Sequence, residues 1–328
     1  MTDIGDLADV EQSLLGGPRR YTRSQVAELS GVPVERARKL WVALGFPAAA
    51  DDDDVAFTDA DVAAIRAFSG LAPGTTADEH NQIAAARTVG QAMARLAEWH
   101  ADLIVREIAT AEGDSTVSDP HRRAEAITRI VGVLTGLQDY TWQRHLAAAL
   151  SRSVESAGPT RPLLVGFADM VGYTRLSRHL DPDELTELLD AFETATTDAI
   201  VDGGGWVIKN VGDEVMFAAT DPAAGARIGL ALQDQINVAA QTISEMPQIR
   251  VGLAYGPVLT RFGDLYGTVV NVAARLTGVA RPGTVLIDDQ AAAALEDQNE
   301  FSLRHLRNVR VKGFSRLRSH VLRRRRAK

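Results

Sequence analysis

The stretch Val207-Ile208-Lys209-Asn210-Val211-Gly212-Asp213-Glu214-Val215-Met216-Phe217 constrains the fold most tightly: two apolar, strand-like runs pinch a polar turn that holds an aspartate and a glutamate. Apolar runs on both sides of a glycine break predict a β-hairpin. A carboxylate buried in a sheet without a partner costs on the order of several kcal/mol. Asp213 is therefore expected to hold a cation. An aspartate that only shapes the turn is the other reading.

A second acidic site lies upstream, in Leu163-Leu164-Val165-Gly166-Phe167-Ala168-Asp169-Met170-Val171-Gly172-Tyr173-Thr174. A buried strand that runs into an aspartate and then a glycine-broken loop sets a carboxylate at a strand end, with loop amides placed to face phosphate. Two such carboxylates on adjacent strands make a two-metal site of the phosphoryl-transfer kind. Its oxygen ligands suit magnesium or manganese.

Together these stretches resemble the metal-binding strands of the class III nucleotidyl cyclases. Gly263-Asp264-Leu265-Tyr266-Gly267-Thr268-Val269-Val270-Asn271-Val272-Ala273-Ala274-Arg275-Leu276 resembles that family's base-selecting and transition-state segment, and Val311-Lys312-Gly313 its late phosphate-binding lysine. The resemblance covers roughly residues 161 to 322. It implies that Asp169 and Asp213 hold two divalent cations, Mg2+ or Mn2+, that Asn271 orients the ribose, that Arg275 neutralises charge growing on the α-phosphate, and that Lys312 holds the outer phosphates. It also implies a homodimer with shared active sites, in which the metal aspartates of one subunit face the base-selecting residues of the other. The stretch from Tyr255-Gly256-Pro257 to Asp264 is shorter than in many members, and Arg261, its one arginine, is a candidate phosphate contact.

Base choice follows from hydrogen-bond complementarity. Adenine offers an acceptor at N1 and a donor at N6, which Lys209 and Asp264 satisfy, whereas guanine reverses both. ATP is the expected substrate, since a mismatch leaves buried polar groups unpaired.

A chain of 328 residues holds two domains with full cores. Without cysteine, neither a disulfide nor a thiolate-ligated metal is available. The stretch Met1-Thr2-Asp3-Ile4-Gly5-Asp6 lacks a secretory apolar core, and no run of about 18 apolar residues occurs, so a cytoplasmic protein without a membrane span is expected. Residues 1–160 carry 15 Lys and Arg against 23 Asp and Glu, while the remainder is balanced at 20 of each. Such an acidic half is an unpromising field for nonspecific contact with nucleic acid.

Within that half, Tyr21 to Trp41 reads as helix, glycine turn, helix, with a capping box at Thr22 and Gln25, Gly31 closing the first helix and Pro33 opening the second. It resembles the helix-turn-helix of MerR-type regulators, and both a protein-contact module and a DNA-binding one stand open. Asp51-Asp52-Asp53-Asp54 is expected to be a solvated loop, and Thr58-Asp59-Ala60-Asp61 to cap a helix. Apolar stripes predict a long helix through Glu107 (Met93, Leu96, Ala97, His100, Leu103, Ile104, Ile108) and a second over about 120–155 (Ile127, Ile130, Val131, Leu134, Leu137, Leu146, Leu150). His100 falls on the first stripe and His145 at the edge of the second. Each is read either as a hydrogen-bonded core histidine or as a proton switch.

The expected organisation is an all-α regulatory domain over residues 1–155, then an α+β catalytic domain over 156–328 with a ferredoxin-like βαββαβ core. Its elements are expected as a strand (163–169), helix (182–202), hairpin (206–219), helix (221–240), strand (249–255), helix (269–278), strand (284–288) and late strands near 306–312 and 318–323. Arg323-Arg324-Arg325-Arg326 reads as a solvated tail. The order of elements resembles soluble actinobacterial cyclases whose N-terminal half is autoinhibitory and responds to pH.

Overall fold

Thr22 and Gln25 exchange hydrogen bonds at the start of α1 (Arg23–Ser30), Gln25 Oε1 accepting from Thr22 N–H at 2.9 Å, so the capping box read from the sequence forms. The computed structural model describes residues 10–47, 51–70, 76–113, 120–154, 160–243, 245–311 and 314–325. The chain divides into two compact units, residues 1–153 and 154–328.

In the first unit, Gly31 (φ 73°) ends α1 and α2 (Val34–Ala43) follows. Then come α3 (Asp59–Gly70), α4 (Thr76–Gly113) and α5 (Pro120–Val154). Val26, Leu40, Phe57, Val62, Ile65 and Ala86 form its core, and a β-bridge joins Tyr21 to Phe57. The arginines around the helix-turn-helix are engaged within the unit: Arg19 with Glu11, Arg20 with Asp59, Arg23 with Asp52, Arg36 with Gln82 and Arg38 with Glu35. The Asp51–Asp54 loop is thus partly an ion-pair partner and not only a solvated loop. On α5 the predicted stripe is buried at Ile127 and Leu134, but Leu137, Leu146 and Leu150 are exposed within the described residues. His145 is likewise exposed. Periodicity marks one face of a helix without saying what covers it.

The second unit is built on β1 (Thr160–Met170), whose apolar run is continuous because both of its faces are covered. After the single turn α6 (Tyr173–Leu176) comes α7 (Pro182–Asp202), opened by an Asp181/Glu184 capping box. The elements continue as β2 (Trp206–Val211), β3 (Glu214–Ala219), α8 (Pro222–Ala239), β4 (Ile249–Arg261), β5 (Asp264–Tyr266), α9 (Thr268–Val279), β6 (Thr284–Asp288), α10 (Asp289–Ala294), β7 (Phe301–Val311) and β8 (Phe314–Arg324). The sheet order is β2-β3-β1-β4-β6-β8-β7, with β5 paired to β4.

The β1-α7-β2-β3-α8-β4 part is the ferredoxin-like core, β1 lying antiparallel between β3 and β4. Leu164, Ala168 and Met170 of β1 pack with Phe192 and Ile200 of α7 and with Ile228 and Leu232 of α8. On the opposite face Leu163, Val165 and Phe167 meet Val272, Ala273 and Leu276 of α9. Helix α9 lies against β4 at Gly252, where an added Cβ would sit 2.3 Å from Thr277 N and 2.5 Å from Ala273 O. Close approach of the two backbones requires glycine there.

Three features differ from the sequence expectation. β4 continues to Arg261 and turns back into β5 through Phe262 (φ 52°) and Gly263 (φ 80°), the sign pattern of a type I′ hairpin. The shortened segment is therefore a tight two-residue turn. The brief helix α10 lies in an alanine run without a periodic signal. Finally, Arg323 and Arg324 end β8, Arg324 pairing with Asp234 while Arg325 bonds Asn299 Oδ1 at 3.2 Å, so the arginine run is part of the folded unit up to Arg325.

Candidate active site

Strand register assembles the acidic site. Asp169 at the end of β1 is the Cα partner of Glu214 on β3 and of Arg250 on β4, so three adjacent strands present Glu214, Asp169 and Arg250 as a row on one face. Arg250 Nε donates to Asp169 Oδ2 at 2.6 Å, and its Nη1 to the Gly278 carbonyl at 3.3 Å. Gly212 (φ 61°) makes the β2–β3 turn, and Met170 N–H donates to the Asp213 carbonyl at 3.0 Å, tying that turn to the end of β1. The two expected metal aspartates are thus brought together.

Burial pushes the Asp213 and Glu214 carboxyls above their usual range; the charge on Asp169 pushes the same way, and Arg250 opposes it. Carboxylates held close enough to hinder one another's ionisation, with oxygen as their donor atom, suit a hard divalent cation. The donor set fits Mg2+ or Mn2+. Of the loop amides after β1, Val171 donates to Gln248 O, and Arg175 and Leu176 donate back to Gly172 O.

Lys209 on β2 and Asp264 on β5 also meet, Nζ to Oδ2 at 2.7 Å, although 55 residues separate them in the chain. Asp264 Oδ1 accepts from Leu265 N–H at 2.8 Å, which orients the carboxylate. Asn271 and Arg275 lie one turn apart on α9, the first exposed and the second half-buried. Arg261 is exposed at the end of β4, its guanidinium 4.9 Å from the Phe262 ring centroid. Lys312 lies outside the described residues.

Arg250 was not anticipated from the sequence. Its signal is available only afterwards: an arginine opening an apolar strand, Ile249 to Leu253, is out of pattern unless it meets a carboxylate.

Residues 156–324 match the adenylate and guanylate cyclase catalytic domain. The chain belongs to this cyclase family. The cyclase is 40% identical over 296 residues to an adenylate cyclase of Streptomyces coelicolor, covering 87% of this chain and 74% of that protein. It is 34% identical over 337 residues to an adenylate cyclase of Glutamicibacter nicotianae, covering 96% and 82%. A pH-sensitive adenylate cyclase of Mycobacterium tuberculosis is 30% identical over 299 residues, covering 88% and 73%. These spans extend beyond the cyclase domain into the N-terminal unit. The class III cyclase domain is generally dependent on divalent metal and acts on a nucleotide. Among the described residues of this cyclase, no helix is long and apolar enough to cross a membrane.

Proposed function

We propose that this cyclase converts ATP to 3′,5′-cyclic AMP and pyrophosphate. The observation that carries the choice of ATP is the Lys209–Asp264 contact: a cationic donor and an anionic acceptor side by side, matching adenine N1 and N6. The pair is partly exposed, so separating it to admit a base costs no more than about 1 kcal/mol.

Asp169 and Asp213 are the ligands for two divalent cations, Mg2+ or Mn2+. When bound, such ions lower the pKa of the ribose 3′-hydroxyl and neutralise the triphosphate. Asn271 orients the ribose so that the 3′-oxygen stands in line with the α-phosphorus. As the 3′-oxygen bonds to that phosphorus and the bond to the bridging oxygen breaks, Arg275 holds the charge growing on the α-phosphate with its planar fork of donors. Lys312 holds the pyrophosphate that leaves, and Arg261 is a further phosphate contact. Arg250 keeps Asp169 in place. The chemistry is mainly positioning and charge neutralisation.

The active unit is a homodimer with two shared sites, the metal aspartates of one subunit facing Asn271 and Arg275 of the other. Asp169→Ala and Arg275→Ala chains, each inactive alone, are then expected to recover activity on mixing. Verified heterodimers that stay inactive would count against shared sites.

Residues 1–155 are a regulatory domain that restrains the catalytic domain over 156–328 and responds to pH. Similarity to a pH-sensitive adenylate cyclase over most of both chains supports this. Product formation by the full chain, with ATP and GTP in parallel, Mg2+ or Mn2+, across a range of pH, tests the reading. Cyclic AMP with little cyclic GMP supports it, and equal use of GTP overturns the base assignment. Removal of residues 1–155 with no rise in activity and no change of pH profile overturns the regulatory part.

A further inference from the structure

We propose that Asp289, His305 and His320 form a second metal site, one that takes a zinc-class transition-metal ion and is separate from the carboxylates at Asp169 and Asp213. Strand register builds it. His305 on β7 and His320 on β8 are direct Cα partners, and their ring centroids lie 5.0 Å apart. β6 pairs with β8 through Ile287 and His320, which carries the next-but-one residue, Asp289, to the same spot. There His320 Nε2 lies 2.8 Å from Asp289 Oδ1. One ligand atom from each of the three residues falls within 4.8 Å of the other two.

The donors decide the class of ion. Two imidazoles and one carboxylate are a set that zinc and its neighbours bind well and magnesium or calcium bind poorly. Metal–ligand bonds of about 2.0–2.2 Å place two donors of one tetrahedral zinc ion roughly 3.5 Å apart, so ion binding would draw the most separated donors in by about 1 Å from the observed spread. The site borders an open cavity of about 770 Å³, which Leu295 and Phe301 also line, leaving room for water to complete the coordination. The rival cation is Arg318. Its Nη1 stands 3.9 Å from Asp289 Oδ2, beyond a hydrogen bond, and its side chain is 70% exposed and able to swing away.

The site is distant from the carboxylates on β1 and β3. β6 runs parallel to β4 from Thr284, which is paired with Arg250, and Asp289 follows its far end, roughly 16 Å away along the strand. An ion there would cross-link β6, β8 and β7 and raise the stability of the folded chain through binding.

The test is calorimetric titration of the full-length chain with zinc chloride, paired with visible absorption of the cobalt(II)-loaded chain. Because His305 is exposed, His305→Ala removes a ligand without opening the core. Wild type and an Asp169→Asn/Asp213→Asn chain are expected to share one zinc equivalent and the absorption bands of an imidazole-ligated cobalt site. His305→Ala is expected to lose those bands and to bind that equivalent more than about tenfold more weakly, with a smaller zinc-induced rise in melting temperature. Identical titrations and spectra for wild type and His305→Ala overturn the proposal, as does zinc binding that disappears only with Asp169 and Asp213.

Discussion

Arg250 Nε and Asp169 Oδ2 stand 2.6 Å apart across the β1–β4 ladder, so the arginine at one strand's start holds the carboxylate at its neighbour's end. Asp213 and Glu214 crowd the same point, and Arg250 opposes their mutual repulsion, joined at Glu214 by Lys209. Removing it in Arg250→Ala frees Asp169 to turn and leaves three carboxylates together. Turnover is expected to fall about 100-fold, the scale of losing one preorganised charge contact. Stability should fall by more than the about 1 kcal/mol of a surface pair, because the Asp169 side chain is only 14% exposed and loses its partner. Arg250→Lys should rescue little, since lysine lacks the planar fork that sets Nε at Asp169 and Nη1 at the Gly278 carbonyl. Steady-state kinetics and melting curves of the two variants check this; wild-type turnover in Arg250→Ala would show a structural contact only.

The base assignment predicts the behaviour of a double variant. Lys209→Glu with Asp264→Cys presents adenine with an acceptor at N1 and a weak donor at N6. Each unpaired polar group costs about 1–3 kcal/mol, so kcat/KM for ATP should fall roughly 5- to 150-fold per group. Parallel rates with ATP and GTP decide it, and unchanged ATP use would refute the pairing.

What the sequence disclosed, and what it withheld, follows from how far apart the interacting residues lie. Asp169 and Asp213 were visible because each ends or breaks a local apolar run, and the helix-turn-helix at Thr22 to Trp41 because caps are local. Arg250 and Asp169 are 81 residues apart and become neighbours only through strand register, which no local pattern reports. His305 and His320 share that history. The turn at Phe262 was hidden because a bulky residue seldom takes a positive φ. The exposed Leu137, Leu146 and Leu150 show the reverse failure, a clear periodicity without a described neighbour to bury it.

Asp288 gives a pH-dependent prediction. Burial pushes its carboxyl above the usual range, against the hydrogen bonds that Oδ1 accepts from Ala291 N–H at 2.9 Å and Tyr255 N–H at 3.2 Å. A carboxyl with a raised folded-state pKa contributes stability that is fully present below its unfolded value, 3.8, and is lost as pH rises through the folded one. Both bonds end on Oδ1, so Asp288→Asn can keep them while removing the charge. It is expected to match or exceed wild-type stability at pH 7 and to lose that advantage toward pH 4. Asp288→Ala should cost about 1 kcal/mol for the missing cap at the Ala291 amide, and about 1–3 kcal/mol more for the Tyr255 amide left unpaired. Unfolding curves of the three chains at both pH values test the sign, and an Asp288→Asn chain less stable than wild type at pH 7 would contradict it.

Gly252 links the packing of α9 to the chemistry. A methyl group there would meet Thr277 N at 2.3 Å and Ala273 O at 2.5 Å, and both are backbone atoms that cannot rotate aside. Gly252→Ala must therefore push α9 away from β4. Overpacking of this kind costs about 1–3 kcal/mol. Because Asn271 and Arg275 ride on α9, and the Gly278 carbonyl it carries anchors Arg250, a shift of about 1 Å misplaces all three contacts and is expected to lower kcat about 100-fold. Gly166→Ala is the control: its added methyl would meet the Phe217 ring and the end of Leu253 instead of α9. It should destabilise the fold comparably while sparing turnover per folded molecule. Equal losses of turnover in the two variants would mean that α9 is not the element that positions the site.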